Sequence, residues 1–427
     1  MLKCRSHSIL LLSVFSAASS DSLLSPLRRL KGDADVNDSS LRLLEGDAGR
    51  DDSSFFDNAL ATLDDFFFDD RCDRPDEDTS NIRDLSDWMA SLDPNINLSD
   101  ITLPGTHNSA AYDLTTTFNM NDPQYAYIQE ATLGGINLPN KLIAPFACRF
   151  ALTQSLSLAE QLRSGIRYFD LRVDYDDETS SFRIFHLLFG LPIQDILKQI
   201  QDFIESHPSE IIVIEMRELL SASVTAQKKQ ELTEIILNSF GSALYPVTNT
   251  LPTIGEMQAA GTTVIIAVQD GDINSSSDLL WPTSGKIRDT FANTVDVQEM
   301  SEYNQERLAE FNSNGNQFLF TKISWILTPN TDYLKDSLLR GSIFNLAKED
   351  ANPVLIDFAA NNDGVQLGNI LIVDYVEQSP IFDVLGLSSS SSEPFVPDPS
   401  PASSLQSTLS ICVALSLGIL SCIFVPW

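Results

Sequence analysis

Along most of the chain, short apolar runs alternate with stretches whose apolar positions recur at helical spacing. The runs at 101–103, 167–173, 182–185, 211–216, 262–268, 317–321 and 370–375 have the length and β-branched content of strands. Between them, 157–164, 193–205 and 226–239 carry the spacing of amphipathic helices, the second stopping at His207-Pro208. Buried strands alternating with helices predict βα units around a parallel sheet. For about 300 residues and seven or more strands, this predicts an α/β protein: a TIM-type (β/α) barrel, distorted, forming a single catalytic domain over 87–387. No Gly-rich GxGxxG turn follows the first strand, so a dinucleotide fold is not indicated.

The flanks have another texture. Residues 1–20 carry Lys3 and Arg5, then an apolar run and small residues, the pattern of a secretory signal peptide. Residues 21–86 are rich in Asp and Ser without sustained period, which predicts an acidic, poorly ordered leader. A Ser/Pro linker at 388–404 precedes an apolar segment at 405–427 that no basic residue follows. Small residues, polar spacer and apolar tail are the pattern of a GPI-attachment signal, with a transmembrane anchor as the alternative. The expected location is therefore the secretory pathway and the cell surface, with a membrane tether through the C-terminus.

Composition removes other classes. The chain has 59 acidic and 27 basic residues, a formal net charge of −32. Such a chain lacks the basic footprint that nucleic acid requires, so nucleic-acid binding is excluded. Of its five cysteines, only Cys72 and Cys148 lie outside the two flanking signals, and an oxidising compartment allows them to pair.

Histidine is scarce: four occur, at 7, 107, 186 and 207. His7 falls in the signal, and His207 sits at a helix end before Pro208, where a capping or turn role is expected. His107 follows the first strand, in Leu103-Pro-Gly-Thr-His-Asn-Ser, and His186 ends the run 182–186. In a (β/α) barrel both positions point to the mouth where strands end. The run Tyr168-Phe-Asp-Leu-Arg-Val-Asp174 alternates, placing Tyr168, Asp170, Arg172 and Asp174 on one face and Phe169, Leu171 and Val173 on the other. Packing the apolar face on the helices turns the charges into the barrel, where they are costly unless paired or used. Asp374 ends the apolar run 370–373, and Asp357, within 354–358, has the same aspect. Two imidazoles, a guanidinium and an orienting carboxylate suit phosphodiester chemistry: one ring removes a proton, the other donates one, and arginine holds the oxyanion.

These stretches, with Gln161-Leu-Arg-Ser-Gly-Ile-Arg-Tyr-Phe-Asp-Leu-Arg172 between the two histidines, resemble the X domain of phosphatidylinositol-specific phospholipase C. The likeness is to the bacterial enzymes and to the X-domain-only proteins of eukaryotes, and Trp281-Pro282, 291–294 and 372–375 are similar to segments of the latter. The resemblance implies a distorted TIM-type barrel that cleaves a membrane phosphoinositide or GPI-type lipid to diacylglycerol and a cyclic inositol phosphate. It implies His107 as general base with Asp374 orienting its ring, Arg172 on the phosphate, His186 as general acid and Asp170 as a further polar member. Arg217, at a strand end, is a candidate headgroup contact.

Asn108 departs from the bacterial pattern, which has Asp after the first histidine. Calcium-dependent members have Asn there as a metal ligand but an acidic residue where Arg172 stands, so metal-independent chemistry is expected and calcium disfavoured. The stretch Asp270-Gly-Asp-Ile-Asn274 opens like a calcium loop but has Ser275 and Trp281 where glycine and glutamate are needed. Phe118, Met120, Tyr125, Tyr127 and 187–189 are candidates for an apolar rim that meets lipid. Two other readings use the same barrel: a metal-dependent glycerophosphodiester or sphingomyelin phosphodiesterase, and a non-catalytic surface-anchored binding protein.

Overall fold

The computed structural model describes residues 70–75, 83–133, 140–313, 317–336 and 341–387. The expected signal peptide, the Ser/Pro linker, the tail and most of the leader lie outside the described residues.

Ten strands are present: β1 (Leu103–Thr106), β2 (Tyr168–Asp176), β3 (Ser181–His186), β4 (Leu188–Pro192), β5 (Ile212–Arg217), β6 (Val264–Val268), β7 (Leu280–Pro282), β8 (Ile287–Arg288), β9 (Phe320–Trp325) and β10 (Ile370–Val373). Eight form one curled parallel sheet in the order β7-β6-β5-β2-β1-β10-β9-β8. That is the cyclic order of a (β/α) barrel in which, among the described residues, β7 and β8 end the ladder without pairing. The opening is the distortion of the predicted barrel. β3 and β4 form an antiparallel ribbon beside the upper half of β2, with Val173 opposite Ile184 and His186 opposite Leu188.

The principal helices are α1 (Gln124–Leu133), α2 (Asn140–Ala151), α3 (Leu158–Ser164), α4 (Ile193–Ser206), α5 (Ala226–Phe240), α6 (Ile254–Ala260), α7 (Gly271–Asn274), α8 (Val297–Ser313) and α9 (Asn352–Ala360). Ser157 and Glu160 close a reciprocal capping box at the start of α3, and Gly165 ends that helix in the left-handed region at φ 113°. His207 is the C-cap of α4; its ring stacks on Phe203 at 4.5 Å and its Nδ1 lies 2.8 Å from Asp87. It has the capping role expected of it.

The alternation of β2 organises the core. Phe169, Leu171 and Val173 pack outward with Ile196, Leu197 and Ile200 of α4, whereas Tyr168 joins Leu103, Val213, Ile265, Phe320 and Ile372 inside the barrel. A third cluster, Leu114, Phe118, Phe146, Phe150, Leu187, Leu188 and Tyr375, fills the space under the loops at the C-terminal ends of the strands.

Three expectations are corrected. The strand expected at 317–321 runs instead from Phe320 to Trp325. The run 354–358 lies in α9, so Asp357 is an exposed helical residue and not a strand-end carboxylate. Part of the range read as a poorly ordered leader is fixed to the barrel. Cys72 is disulfide-bonded to Cys148 of α2, its N–H donates to the Leu114 carbonyl at 2.9 Å, Arg71 pairs with Asp113, and Arg74 donates to the Ser155 carbonyl at 3.1 Å. The bridge joins cysteines 76 positions apart in the sequence. Cys72→Ser is therefore expected to lower stability by about 2–4 kcal/mol, read as a shift in denaturant midpoint, and an unchanged midpoint would show the bridge is dispensable.

Candidate active site

Four of the five chemistry-bearing residues stand where a strand ends: His107 follows β1, His186 ends β3, Arg217 ends β5 and Asp374 follows β10, while Arg172 is the middle residue of β2. The residue after four of these five has a positive φ although it is not glycine: Asn108 at 41°, Leu187 at 62°, Glu218 at 80° and Tyr375 at 47°. Such conformations cost about 1–3 kcal/mol each and persist where the surroundings enforce them. Here each turns the chain sharply just after a polar side chain, which is left standing in the mouth.

His107 Nδ1 lies 2.9 Å from Asp374 Oδ1, and the His107 N–H continues the β1–β10 ladder onto the Val373 carbonyl at 3.0 Å. A carboxylate there requires the proton on Nδ1, which leaves the Nε2 lone pair free. That lone pair faces the Asn108 Nδ2 donor at 3.1 Å, so both neighbours fix the same tautomer. Burial raises the pKa of Asp374, and the attraction of His107 opposes this.

His186 is buried, and its Nδ1 donates to the Ala151 carbonyl at 2.7 Å, which leaves Nε2 toward the mouth. Its ring stands edge-on to that of His107, with centroids 6.2 Å apart. Burial first, then the positive fields of Arg172 and His107, push its pKa down to about 3, so the resting imidazole is neutral. A histidine whose folded pKa lies below its unfolded value loses stability as pH falls through the unfolded value toward the folded one. His186 therefore withdraws up to about 1.4 kcal/mol per pH unit over the window from about 6.5 to 3. His186→Gln is expected to flatten the acid side of the stability–pH curve; an equally steep curve in the variant would refute the assignment.

Arg172 has Nη2 3.6 Å from Asp170 Oδ2 and Nη1 3.8 Å from Glu218 Oε1. Burial would raise the pKa of Asp170, but the fields of Arg172, Lys322, Arg217 and His107 outweigh it and hold the carboxylate below its usual range. Three buried polar atoms of these neighbours lack a hydrogen-bond partner among the described residues: Asn108 Oδ1, Asp170 Oδ1 and Arg172 Nε. Unpaired buried groups are costly, and water, an ion or a bound polar ligand can pair with them.

The structure thus brings together His107, His186, Asp374, Asp170, Arg172 and Asn108. Arg217 is aligned with Arg172 across the β5–β2 ladder, but its guanidinium is paired with Asp289. Asp174 serves the frame: it accepts from the N–H groups of Leu220 and Ser221 and from Asn119 Nδ2. Below the mouth is a layer the sequence reading did not include. Lys322 Nζ lies 2.9 Å from Glu215 Oε2 and 2.7 Å from Asp289 Oδ1, while the Tyr168 hydroxyl donates to Glu215. The available signal is a charge beside apolar residues inside a strand, Glu215 between Ile214 and Met216 in β5 and Lys322 before Ile323 in β9.

The residues do not fit calcium. The carboxylate next to Asn108, that of Asp170, already faces the Arg172 guanidinium, and a divalent cation between them would be repelled. At the calcium-loop look-alike, Lys229 Nζ sits 2.7 Å from both Asp270 and Asp272, and Asp270 caps α7. The apolar rim is corrected in part. Leu187, Leu188, Phe189 and Phe118 are buried under the loops, whereas Met120 and Tyr127 are 59% and 57% exposed.

No protein-family model matches the chain. Among curated proteins it is similar to the human PI-PLC X domain-containing protein 2, 31% identical over 265 residues that span 60% of this chain and 82% of that protein. The chain belongs to the PI-PLC X domain-containing family. It is also similar to the mouse PI-PLC X domain-containing protein 3, 22% identical over 69% of this chain and 90% of that protein. In fold it is similar to the phosphatidylinositol-specific phospholipase C of Listeria monocytogenes, with a TM-score of 0.51 at 19% identity over 72% of this chain and all of that one. The Staphylococcus aureus enzyme gives 0.51 at 18% identity, over 71% and 97%. The X-domain family therefore brings a phospholipase-C-like phosphodiesterase fold, and the barrel mouth is where such a fold carries chemistry.

Proposed function

We propose that this X-domain protein cleaves the phosphodiester of phosphatidylinositol-type lipids by base–acid catalysis between its two mouth histidines. His107 Nε2 takes the proton of the inositol 2-hydroxyl, whose oxygen attacks phosphorus. The bond from phosphorus to the glycerol oxygen breaks, and His186 Nε2 delivers a proton to that oxygen. The products are a cyclic inositol phosphate and diacylglycerol. Arg172 takes the charge-neutralising place that a calcium ion has elsewhere. The observation that carries this reading is the pair of imidazoles 6.2 Å apart, the first held on Asp374 and the second within the field of Arg172.

Two further facts support it. The unpartnered Asn108 Oδ1, Asp170 Oδ1 and Arg172 Nε offer a polar, charged ligand its contacts. The relatives' names carry the same phospholipase domain. The reading places the protein on the secretory route, tethered by its apolar C-terminal segment, and the Cys72–Cys148 bridge accords with an oxidising compartment.

Labelled phosphatidylinositol, with and without chelator, tests the proposal. The expected result is equal turnover in both and a cyclic phosphate as first product. Loss of activity in chelator with rescue by calcium would overturn the role given to Arg172. Absence of cyclic product under all conditions would overturn the reaction. For the tether, release of the protein from membranes by GPI cleavage is expected, and full retention would favour a spanning anchor.

A further inference from the structure

The four residues that follow Phe150 are each hydrogen-bonded to the strand ends that carry the site. The Ala151 carbonyl accepts from His186 Nδ1 at 2.7 Å. The Leu152 carbonyl accepts from the Tyr375 hydroxyl at 2.8 Å. Thr153 donates through Oγ1 to the Asn108 carbonyl at 3.1 Å, and its own carbonyl accepts from the Tyr375 N–H at 2.8 Å. Gln154, fully buried, makes the most of these ties. Its Nε2 donates to the carbonyls of His107 and Val373, each at 3.2 Å, and its Oε1 accepts from the Val376 N–H at 3.2 Å.

The place of that carboxamide matters. The β1–β10 ladder ends at Thr106 opposite Val373, and its last extension is the bond from the His107 N–H to the Val373 carbonyl. One residue further, at Asn108 and at Tyr375, each chain turns at positive φ and the two strands part. Yet the His107–Asp374 pair stands in this stretch beyond the ladder. Gln154 supplies from its side chain the cross-links that the backbone no longer makes there.

We propose that Gln154 is a positioning residue: its carboxamide clamps the end of β1 to the end of β10 and so holds His107 Nδ1 on Asp374 Oδ1. This rests on the reading of His107 as the base, and the test is built so that the two can fail separately. Gln154→Met keeps the length of the side chain and removes its three hydrogen bonds. In the folded variant, verified by circular dichroism and gel filtration, kcat on phosphatidylinositol is expected to fall about 10- to 100-fold with KM within about twofold, because misplacing a reacting group by about 1 Å has that effect. Independently of turnover, the downfield proton resonance of His107 Nδ1, assigned by its loss in His107→Ala, is expected to shift or broaden, while the His207 ring signals stay in place.

A folded Gln154→Met with wild-type kcat and an unmoved His107 resonance would overturn the proposal, leaving a purely structural amide. Should Gln154→Met not fold, Gln154→Glu, which keeps the acceptor and loses both donors, reads the same two quantities. Failure of both variants to fold would likewise assign Gln154 to the frame. If the wild type turns over no inositol phosphodiester, the functional reading falls, and the resonance alone still decides whether Gln154 sets the histidine.

Discussion

His107→Ala and His186→Ala are each expected to lower kcat on phosphatidylinositol by about 10²- to 10⁴-fold with little change in binding to vesicles, since each removes one positioned proton transfer. The double variant should fall little below the worse single one, because groups that act in one step are not additive. The two rings are separable by leaving group. Diacylglycerol departs as an alkoxide that needs a proton, whereas a nitrophenolate leaves without one. With a nitrophenyl inositol phosphate, His186→Ala should regain most of its activity and His107→Ala should not. Asp374→Asn should rank with His107→Ala: an amide N–H turned to Nδ1 moves the imidazole proton to Nε2, the atom that has to accept. Retention of turnover within about threefold in both histidine variants would end the base–acid reading.

An imidazole pushed down to about 3 holds no proton to donate at rest, and the cause tells how this changes. Burial is permanent, but the second contribution is the Arg172 guanidinium, whose charge an incoming phosphate neutralises. The phosphate itself then favours the charged ring. His186 is thus expected to gain its proton with the substrate, and omitting substrate should leave it neutral across the physiological range. Titrating the ring resonance in the absence and presence of inositol phosphate measures this directly; identical titrations would contradict it.

Much of this site was legible in the sequence because its residues sit at strand ends, where few histidines and one strict alternation stand out. Tyr168, Asp170 and Arg172 could be assigned to one face of β2 from period two alone, and the packing of Phe169, Leu171 and Val173 on α4 follows from the same pattern. Short apolar runs were harder. The stretch 354–358 looks like a strand, but Asn352-Pro353 before it is a helix start, with proline in the first turn, and the helix forms. Lys322 is not singled out because the apolar run that predicts the strand, 317–321, stops one residue short of it, whereas β9 spans Phe320–Trp325. Gln154 has no local signal at all: it follows a helix, and its three partners are His107, just beyond β1, and Val373 and Val376 on either side of Asp374. The apolar residues beside His186 have the sequence aspect of a lipid-facing rim, but the ribbon of β3 and β4 folds them inward onto α2 and Phe118.

Lys322→Met is expected to cost about 3–5 kcal/mol of folding stability, the loss typical of removing one partner of a buried ion pair. The ammonium is 1% exposed and lies against two carboxylates, Glu215 at 2.9 Å and Asp289 at 2.7 Å. Burial alone would lower its pKa, yet the attraction of Glu215, Asp289 and Asp170 raises it. A lysine with a raised folded value contributes stability below the unfolded value of 10.5 and loses it only as pH climbs beyond that. At neutral pH the whole contribution is therefore present, and the variant exposes all of it. Glu215 has a second claim on the outcome, because Tyr168 donates to the same carboxylate oxygen. Pairing Lys322→Met with Glu215→Gln should recover at least about 1 kcal/mol relative to the sum of the singles, as coupled neighbours do. The denaturant midpoints of the four proteins measure this. A single variant within about 0.5 kcal/mol of wild type would mean that the layer carries no coupled charge.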